Sequence, residues 1–294
     1  MNNPYVELKK KRELGDILSD TFAFIRAQFK PFFSTFLKIV GPYLLVMLIS
    51  YGFYFSSFSS ILTFNVAGPN FNDFNPLFFG LTLLILVCSG LATYVLSQAT
   101  TLFYMQSYAE NNGVINFEEI RSNVYAQFWS FIGLGILVGL SVGVGFLFCC
   151  IPGIFLYIPL SLSFAILVFS KRGVTEAFGY SFDLVKDNWW MTFATIFVIG
   201  IIVTVASYAF SMPALIYQYA KMGILSGEMD AENFGMNFID PIYLILNLIS
   251  TLAQFLLNII SVVAGALIYF NLNEIKNNEG TFERIKKLGG NLDN

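Results

Sequence analysis

Histidine is absent from all 294 residues. That removes His-based catalytic triads, imidazole acid–base chemistry and any His-containing metal site. It also removes the side chain that titrates near neutrality, so no sharp functional switch is expected between about pH 6 and 8. Charge is scarce as well: Asp, Glu, Lys and Arg make up 12% of the chain, where a soluble domain carries roughly 25%. The net charge is −3 and no basic block is large enough to suggest nucleic acid. Three cysteines are too few for a disulfide framework. Cys88 lies in an apolar run, and a bridge between the neighbours Cys149 and Cys150 would be strained. Gly139-Leu-Ser-Val-Gly143 has Gly-x-Ser-x-Gly spacing, but it lies inside an apolar run and the chain has no histidine to serve as its base; the glycines of 133–145 also lack a P-loop lysine. Glu118 and Glu119, and the acidic residues Glu228, Asp230, Glu232 and Asp240, read as solvated charge. No catalytic role, cofactor or metal is expected from these residues.

What the chain does have is apolar length. Hydrophobic residues make up 56% of it, and a bilayer-spanning helix needs about 20 in a run. Six runs meet that need, near Phe32–Tyr54, Leu77–Tyr104, Phe128–Phe148, Gly153–Ser170, Met191–Met212 and Ile242–Tyr269. The fold class expected is therefore all-α, a polytopic membrane protein with six transmembrane helices arranged as three hairpins. Residues 55–76 read as a loop, Pro31 as a helix boundary, Ile151-Pro-Gly153 as a tight turn, and Pro213 as a kink or end. Lys38 is close enough to the basic end of its span to snorkel. The first 31 residues hold no short apolar stretch leading to a small-residue cleavage site, so the chain is expected to insert through its own first span.

A polar-and-apolar helix precedes each hairpin. Leu14, Leu18, Phe22, Ile25 and Phe29 form one helical stripe; Phe117, Ile120, Val124 and Phe128 form a second; Val174, Phe178, Phe182, Val185 and Trp189 form a third. Their ends align as Ile25-Arg-Ala-Gln-Phe29, Val124-Tyr-Ala-Gln-Phe128 and Val185-Lys-Asp-Asn-Trp189. This reads as one integral membrane domain over 1–294, with pseudo-repeats at about 13–108, 116–170 and 174–272 and a tail at 273–294. Phe29, Phe128, Trp189 and Trp190 are the expected interfacial anchors. A polar N-terminal tail, ending in Lys9-Lys-Lys-Arg12, is placed to touch anionic headgroups.

The basic residues set an orientation. With a cytoplasmic N-terminus, one side receives Lys9–Arg12, Arg26, Lys30, Arg121, Lys171, Arg172, Lys186, Lys276, Arg284, Lys286 and Lys287. The other side receives Lys221. Both termini and all three amphipathic helices are then expected on the cytoplasmic face.

Three patterns lie inside the spans. Gly135, Gly139 and Gly143 stand four apart, a face on which helices pack closely. Ser89, Thr93, Ser97, Thr100, Thr101 and Tyr104 form a polar stripe on the second span, and Asn247, Ser250, Thr251, Gln254, Asn258 and Ser261 form one on the sixth. Polar groups facing hydrocarbon are costly, so these stripes either hydrogen-bond between helices or line a crevice, with Ser97, Thr101, Asn247, Gln254 and Asn258 as its residues. Pro159 frees a carbonyl in mid-span that Ser161 or Ser163 is placed to satisfy. No carboxylate lies near the middle of any span, which counts against ion-coupled transport.

The segment Arg12-Glu-Leu-Gly-Asp-Ile-Leu-Ser-Asp-Thr-Phe22 before an apolar run, and Ile151-Pro-Gly153 before a span and Val174-Thr-Glu-Ala-Phe-Gly-Tyr-Ser-Phe-Asp-Leu184, resemble the glycerophosphoryl diester phosphodiesterase membrane-domain family and related uncharacterised bacterial six-helix membrane proteins. The resemblance implies a bacterial cytoplasmic (inner) membrane protein of about six helices. Some members carry a soluble phosphodiesterase domain after this module; about 25 residues follow the last span here, too few for a catalytic barrel. No residue matches a phosphodiesterase catalytic position. The expected role is a non-catalytic scaffold or accessory subunit, binding bilayer lipid and a protein partner or a second copy. The alternative is a passive carrier for a lipid or small solute, with an enzyme the least favoured reading.

Overall fold

The computed structural model of the chain describes residues 6–62, 64–65, 68–69, 75–111, 113–148, 150–222, 240–278, 280–282 and 285. Among them the chain is helical almost throughout. The helices are α1 (Leu14–Ile39), α2 (Gly41–Leu62), α3 (Pro76–Glu110), α4 (Phe117–Ala126), α5 (Phe128–Phe148), α6 (Cys150–Ser161), α7 (Ser163–Phe169), α8 (Val174–Val185), α9 (Trp189–Lys221) and α10 (Pro241–Asn277). A 3₁₀ turn, Lys186–Asn188, joins α8 to α9. The one ladder described is two residues long, with Phe64–Asn65 antiparallel to Gly68–Pro69.

Among the described residues, five helical stretches are long and apolar enough to cross a membrane: α3, α5, α6 with α7, Val174–Lys221 and α10. A sixth is reached if α1 and α2, separated by a sharp break at Val40, count together as one.

Several boundaries differ from the sequence reading. Pro31 does not end the first helix, which continues to Ile39. The break comes instead before Gly41-Pro42, where a proline in the first turn gives up no intrahelical bond. The expected loop from residue 55 is helix up to Leu62. Ile151-Pro-Gly153 is not the turn but the first turn of α6, again a place where the missing N–H costs nothing. Pro213 neither ends nor breaks α9, which runs on to Lys221. In α6 the helix passes Pro159 and breaks at Leu162. Ser161 Oγ donates to the Ile158 carbonyl (2.8 Å) and Ser163 Oγ to the Leu160 carbonyl (2.6 Å), so the serines serve the break rather than the Phe155 carbonyl that Pro159 leaves without its helical donor.

The chain divides into two compact units. The first comprises residues 1–39, 95–201 and 259–294; the second comprises 40–94 and 202–258. The first has a dense core. Phe24 lies edge-on to Tyr104 and Tyr108, with ring centroids 6.4 and 5.2 Å away, and the Tyr104 hydroxyl donates to Gln28 Oε1 at 2.9 Å. Phe131 and Phe164 pack at 5.8 Å, and Phe169 lies 4.5 Å from Phe270. Phe24 and Phe131, which are fully buried, each contribute about 1.5–3 kcal/mol relative to exposure in water.

The amphipathic stripes behave unequally. In α4, Ile120 and Val124 are buried as expected. In α1 the protein-facing side is Ile17, Thr21, Phe24, Gln28 and Phe32, while Phe22 and Phe29 are exposed. In α8 it is Ala177, Ser181, Leu184 and Val185, with Phe178 and Phe182 half-exposed. Periodicity locates an apolar stripe but does not say whether protein or lipid covers it. In α1 and α8 the buried face is rotated from the expected stripe, and most of that stripe's aromatics are left outward.

Residues 6–12 are not a free tail. Leu8 and Arg12 are buried. The Arg12 guanidinium donates to Asp20 Oδ2 (2.8 Å) and to the carbonyls of Leu8 (2.6 Å), Lys10 (3.2 Å) and Glu7, and its backbone N–H donates to Asn271 Oδ1 (2.7 Å). Val6 N–H donates to the Tyr108 hydroxyl at 2.9 Å. At the other end of the chain, buried Glu274 accepts from Gly280 N–H (2.7 Å), Thr281 N–H (3.0 Å) and Thr281 Oγ1 (2.6 Å). A Cβ on Gly280 would run into the Lys9 carbonyl, so glycine lets the two ends of the chain touch. Burial lowers the Arg12 guanidinium's affinity for its proton, opposed by Asp20.

The second unit is built from α2, residues 76–94, 202–221 and 241–258. Tyr54 packs on Phe79 at 5.4 Å and Phe55 on Tyr243 at 5.7 Å. Much of its surface is apolar and exposed, including Leu45, Ile49, Leu84, Val205 and Ile245. A face of that kind suits acyl chains rather than water.

Candidate functional site

The first unit holds a cavity of about 680 Å³. Its apolar wall comes from α6 (Ile151, Ile154, Phe155) and the start of α9 (Trp190, Met191, Phe193). Lys186, Asp187 and Asn188 of the 3₁₀ turn supply its polar lining. Trp189 also lines it, stacked on Phe155 (5.4 Å, 22°) and on Phe193 (5.4 Å, 3°) and edge-on to Trp190 (4.8 Å). The Trp189 indole N–H is buried and makes no hydrogen bond within the chain. The site is amphipathic: an aromatic and aliphatic wall, one cation, one carboxylate and one amide. Lys186 reaches Asp183 at 3.8 Å across an exposed surface, a pairing worth about 0–1 kcal/mol, so both groups remain open to other partners. Such a lining suits the junction of a head group and its acyl chains.

Of the expected anchors, Trp189 is half-buried in this stack and Trp190 is exposed; Phe29 is exposed; Phe128 lies edge-on to Trp129 at 5.6 Å. Trp129 itself is exposed and belongs with them, a residue that its position next to Phe128 signalled. Lys38 does not snorkel outward alone: its ammonium lies over the Phe117 ring at 5.1 Å.

The glycine face expected at Gly135, Gly139 and Gly143 is corrected. A Cβ at Gly139 or Gly143 would meet nothing within 4 Å, and one at Gly135 would just touch Phe164 at 4.0 Å. The close approach of α5 and α6 is made by Gly145, whose Cβ would lie 3.0 Å from Gly153 Cα. The small residues needed are those facing the adjacent helix of the hairpin, not those with the longest repeat.

No family model, curated protein or solved structure matches this chain.

The resemblance noted from the sequence therefore rests on its short motifs alone, and the chemistry must be read from the chain itself. The five crevice residues fall into different units. Ser97 and Thr101 are buried in the first, where Thr101 Oγ1 donates to the Ser97 carbonyl at 2.8 Å. Asn247, Gln254 and Asn258 belong to the second. There Asn247 Nδ2 donates to the Tyr243 carbonyl (3.1 Å), Gln254 Nε2 donates to Ser211 Oγ (3.0 Å), and Asn258 is half-buried. Ser250 Oγ bridges helices, donating to the carbonyls of Phe210 (2.7 Å) and Leu246 (2.9 Å). Thr93 Oγ1 donates to the Ser89 carbonyl at 2.6 Å. Thr100 Oγ1 and Gln218 Oε1 are buried without a partner.

Asp240 is more than solvated charge. Its Oδ1 accepts the Ile242 N–H (2.9 Å), capping α10, while Oδ2 accepts the Tyr217 hydroxyl (2.6 Å) and pairs with Lys221 (3.3 Å). The Tyr217 hydroxyl first, then the Ile242 N–H and Lys221, hold its carboxyl below the usual carboxylate range. Glu118 and Glu119 are exposed in the first turn of α4, where the helix dipole favours them. Glu228, Asp230, Glu232 and Cys149 lie outside the described residues. Among the described residues, no three His, Cys, Asp or Glu side chains group as metal ligands.

Proposed function

We propose that this chain is a non-catalytic integral membrane protein that serves as a scaffold or accessory subunit, seated in lipid and binding a protein partner. The observation that carries this reading is the use of its polar groups. The hydroxyls and amides of both stripes are largely spent on carbonyls and side chains of their own unit, as at Thr93, Thr101, Asn247, Ser250 and Gln254. A carrier needs such groups turned toward a continuous wet path; a scaffold spends them on packing.

The distribution of basic residues supports cytoplasmic termini, and the resemblance points to a bacterial inner membrane. The contacts Arg12–Asn271 and Lys9–Gly280 support an even number of crossings, because residues that touch before the first span and after the last share one face. Six crossings in three hairpins, with α1 and α2 counted as one span, satisfy that parity, and so do four.

The test is native mass spectrometry of the protein released from nanodiscs formed directly from its own membrane. A stoichiometric protein partner is expected. A retained solute with no partner, together with lost solute flux in a folded Asn247→Leu/Gln254→Leu/Asn258→Leu variant, would establish the carrier instead.

A further inference from the structure

We infer that the α5–α6 hairpin does not cross the membrane but inserts its apolar tip into one leaflet, leaving four full crossings made by α2, α3, α9 and α10. The inference rests on the membrane reading above and not on the scaffold role. It begins with composition. The 43 residues from Phe128 to Ser170 contain no charged side chain and no Asn, Gln or Thr. The far end of a complete hairpin stands in water and normally shows it. Here the tip is Gly145-Phe-Leu-Phe148 and Cys150-Ile151, with Leu147, Phe148 and Ile151 exposed at 86, 84 and 76%.

Geometry then fixes the level of the tip. Trp189 stacks on Phe155 at 5.4 Å, and Ile151 and Ile154 line the same cavity as Lys186, Asp187 and Asn188. In a six-crossing chain the turn before Ile151 and the turn at 186–188 lie on opposite faces, about 30 Å of hydrocarbon apart. One cavity cannot serve both faces. The reverse assignment, a crossing hairpin with 186–188 on the far side, makes α8 a span. Its 12 residues reach about 18 Å, too short. It would also make the number of crossings odd, against the Arg12–Asn271 bond.

The hairpin that remains is one-sided. Ile136, Leu140, Val144 and Leu147 form an exposed ridge along α5 at helical spacing, leading to the tip. This ridge fits the acyl boundary of a single leaflet, at a depth of about 5–10 Å, while Lys186, Asp187 and Asn188 stand among the head groups. At that depth the backbone groups of the turn still reach interfacial water, and Pro152 has no N–H to satisfy.

A Cys88→Ser/Cys149→Ser protein keeps Cys150 as its single thiol and is reconstituted in sealed vesicles. Val114→Cys and Lys221→Cys, each in a Cys88→Ser/Cys149→Ser/Cys150→Ser background, report the terminus side and the opposite side. A membrane-impermeant maleimide is expected to label positions 114 and 221 from opposite sides and to lose its labelling of Cys150 from both. A nitroxide on Cys150 is then expected to collide with oxygen and not with a water-soluble nickel complex. Leu147→Cys in the same cysteine-free background repeats the reading if modification at 150 disturbs the turn. Fast labelling of Cys150 from the side of position 221 overturns the inference in favour of six crossings. Nickel access from the side of position 114, or exclusion of both oxygen and nickel, overturns it by placing the tip in water or against protein. Labelling of 114 and 221 from the same side would instead break the membrane reading beneath it.

Discussion

The two units of this chain solve the burial of polar groups in opposite ways. Of the 16 Lys and Arg residues, Lys221 is the only one in the second unit. The first unit buries charge outright, at Arg12 and Glu274, and surrounds it with carbonyls, Asp20 and the backbone of 280–281. The polar residues buried in the second unit are neutral: Ser50, Thr82, Ser89, Thr93, Gln218 and Ser250. Most of their hydroxyls donate back to a carbonyl of their own helix. Water can help a unit assemble a charged node before it closes. Hydrocarbon cannot, so a lipid-facing bundle keeps only those polar groups that its own helices satisfy.

The sharpest way to test that difference is to break the charged node. Arg12→Ala leaves the carbonyls of Glu7, Leu8 and Lys10 short of donors and Asp20 paired with Lys10 alone, while the backbone N–H bond to Asn271 stays. Leaving buried acceptors unpaired costs about 1–3 kcal/mol. Chemical unfolding in detergent is expected to register a loss of that size, with residues 6–12 becoming open to proteolysis. A loss under about 1 kcal/mol, the level of an exposed pair, would show that the node holds nothing.

A second comparison lies within the hairpin. Gly145→Val drives side-chain atoms into the Gly153 backbone, which cannot step aside, and is expected to cost about 1–3 kcal/mol. Gly139→Ala meets open space and removes glycine's entropic penalty, so a gain of about 0.5–1 kcal/mol is expected. Thermal melts of the two variants side by side would reverse that order only if the hairpin packs elsewhere.

In the second unit effects should be small. Ser250→Ala removes the bond to the Phe210 carbonyl, and interhelical bonds in membranes average about 0.6 kcal/mol. A Gln254→Ala/Ser211→Ala double-mutant cycle across the Gln254 Nε2–Ser211 Oγ bond is expected to give a coupling of the same order, and a coupling near zero would show that water rather than the neighbouring helix satisfies these groups. The smallest effect concerns pH. Asp240 is held below its ordinary titration range in the folded chain, so its contribution is full above the unfolded carboxylate pKa, near 4. It is lost as pH falls through the lower, folded value. Melting temperature should stay flat from pH 8 to about 5 and drop below about 4, with a shallower drop in Asp240→Asn.

Much of this was legible in the sequence, because length and apolarity are local properties. The long helices, the absence of mid-span carboxylates, and the buried Ile120 and Val124 of α4 all followed from composition and period. Pro31 and Pro213 misled because a helix with neighbouring helices around it accepts a proline that an isolated helix would not, and Pro152 because the first turn of a helix accepts one at no cost. Arg12 was hidden inside a basic run that reads as a tail. Its burial, its guanidinium bonds to Asp20 and the carbonyls of Glu7, Leu8 and Lys10, and its backbone bond to Asn271, 259 residues away, distinguish it from Lys9 to Lys11. Gly145 escaped notice beside the more regular Gly135, Gly139 and Gly143, since spacing does not reveal which face meets the neighbouring helix. The cavity could not be read at all: it joins Ile151–Phe155 to 186–193 through a fold, not a motif.

The central claim is that the outward surface of the second unit is solvated by acyl chains, and nitroxides at Leu84, Val205 and Ile245 in a cysteine-free, reconstituted protein test it most directly. The account predicts frequent collisions with oxygen and few with a water-soluble nickel complex at all three, with the reverse at Val114 in the first unit. Nickel access at Leu84, Val205 and Ile245 equal to that at Val114 would contradict it.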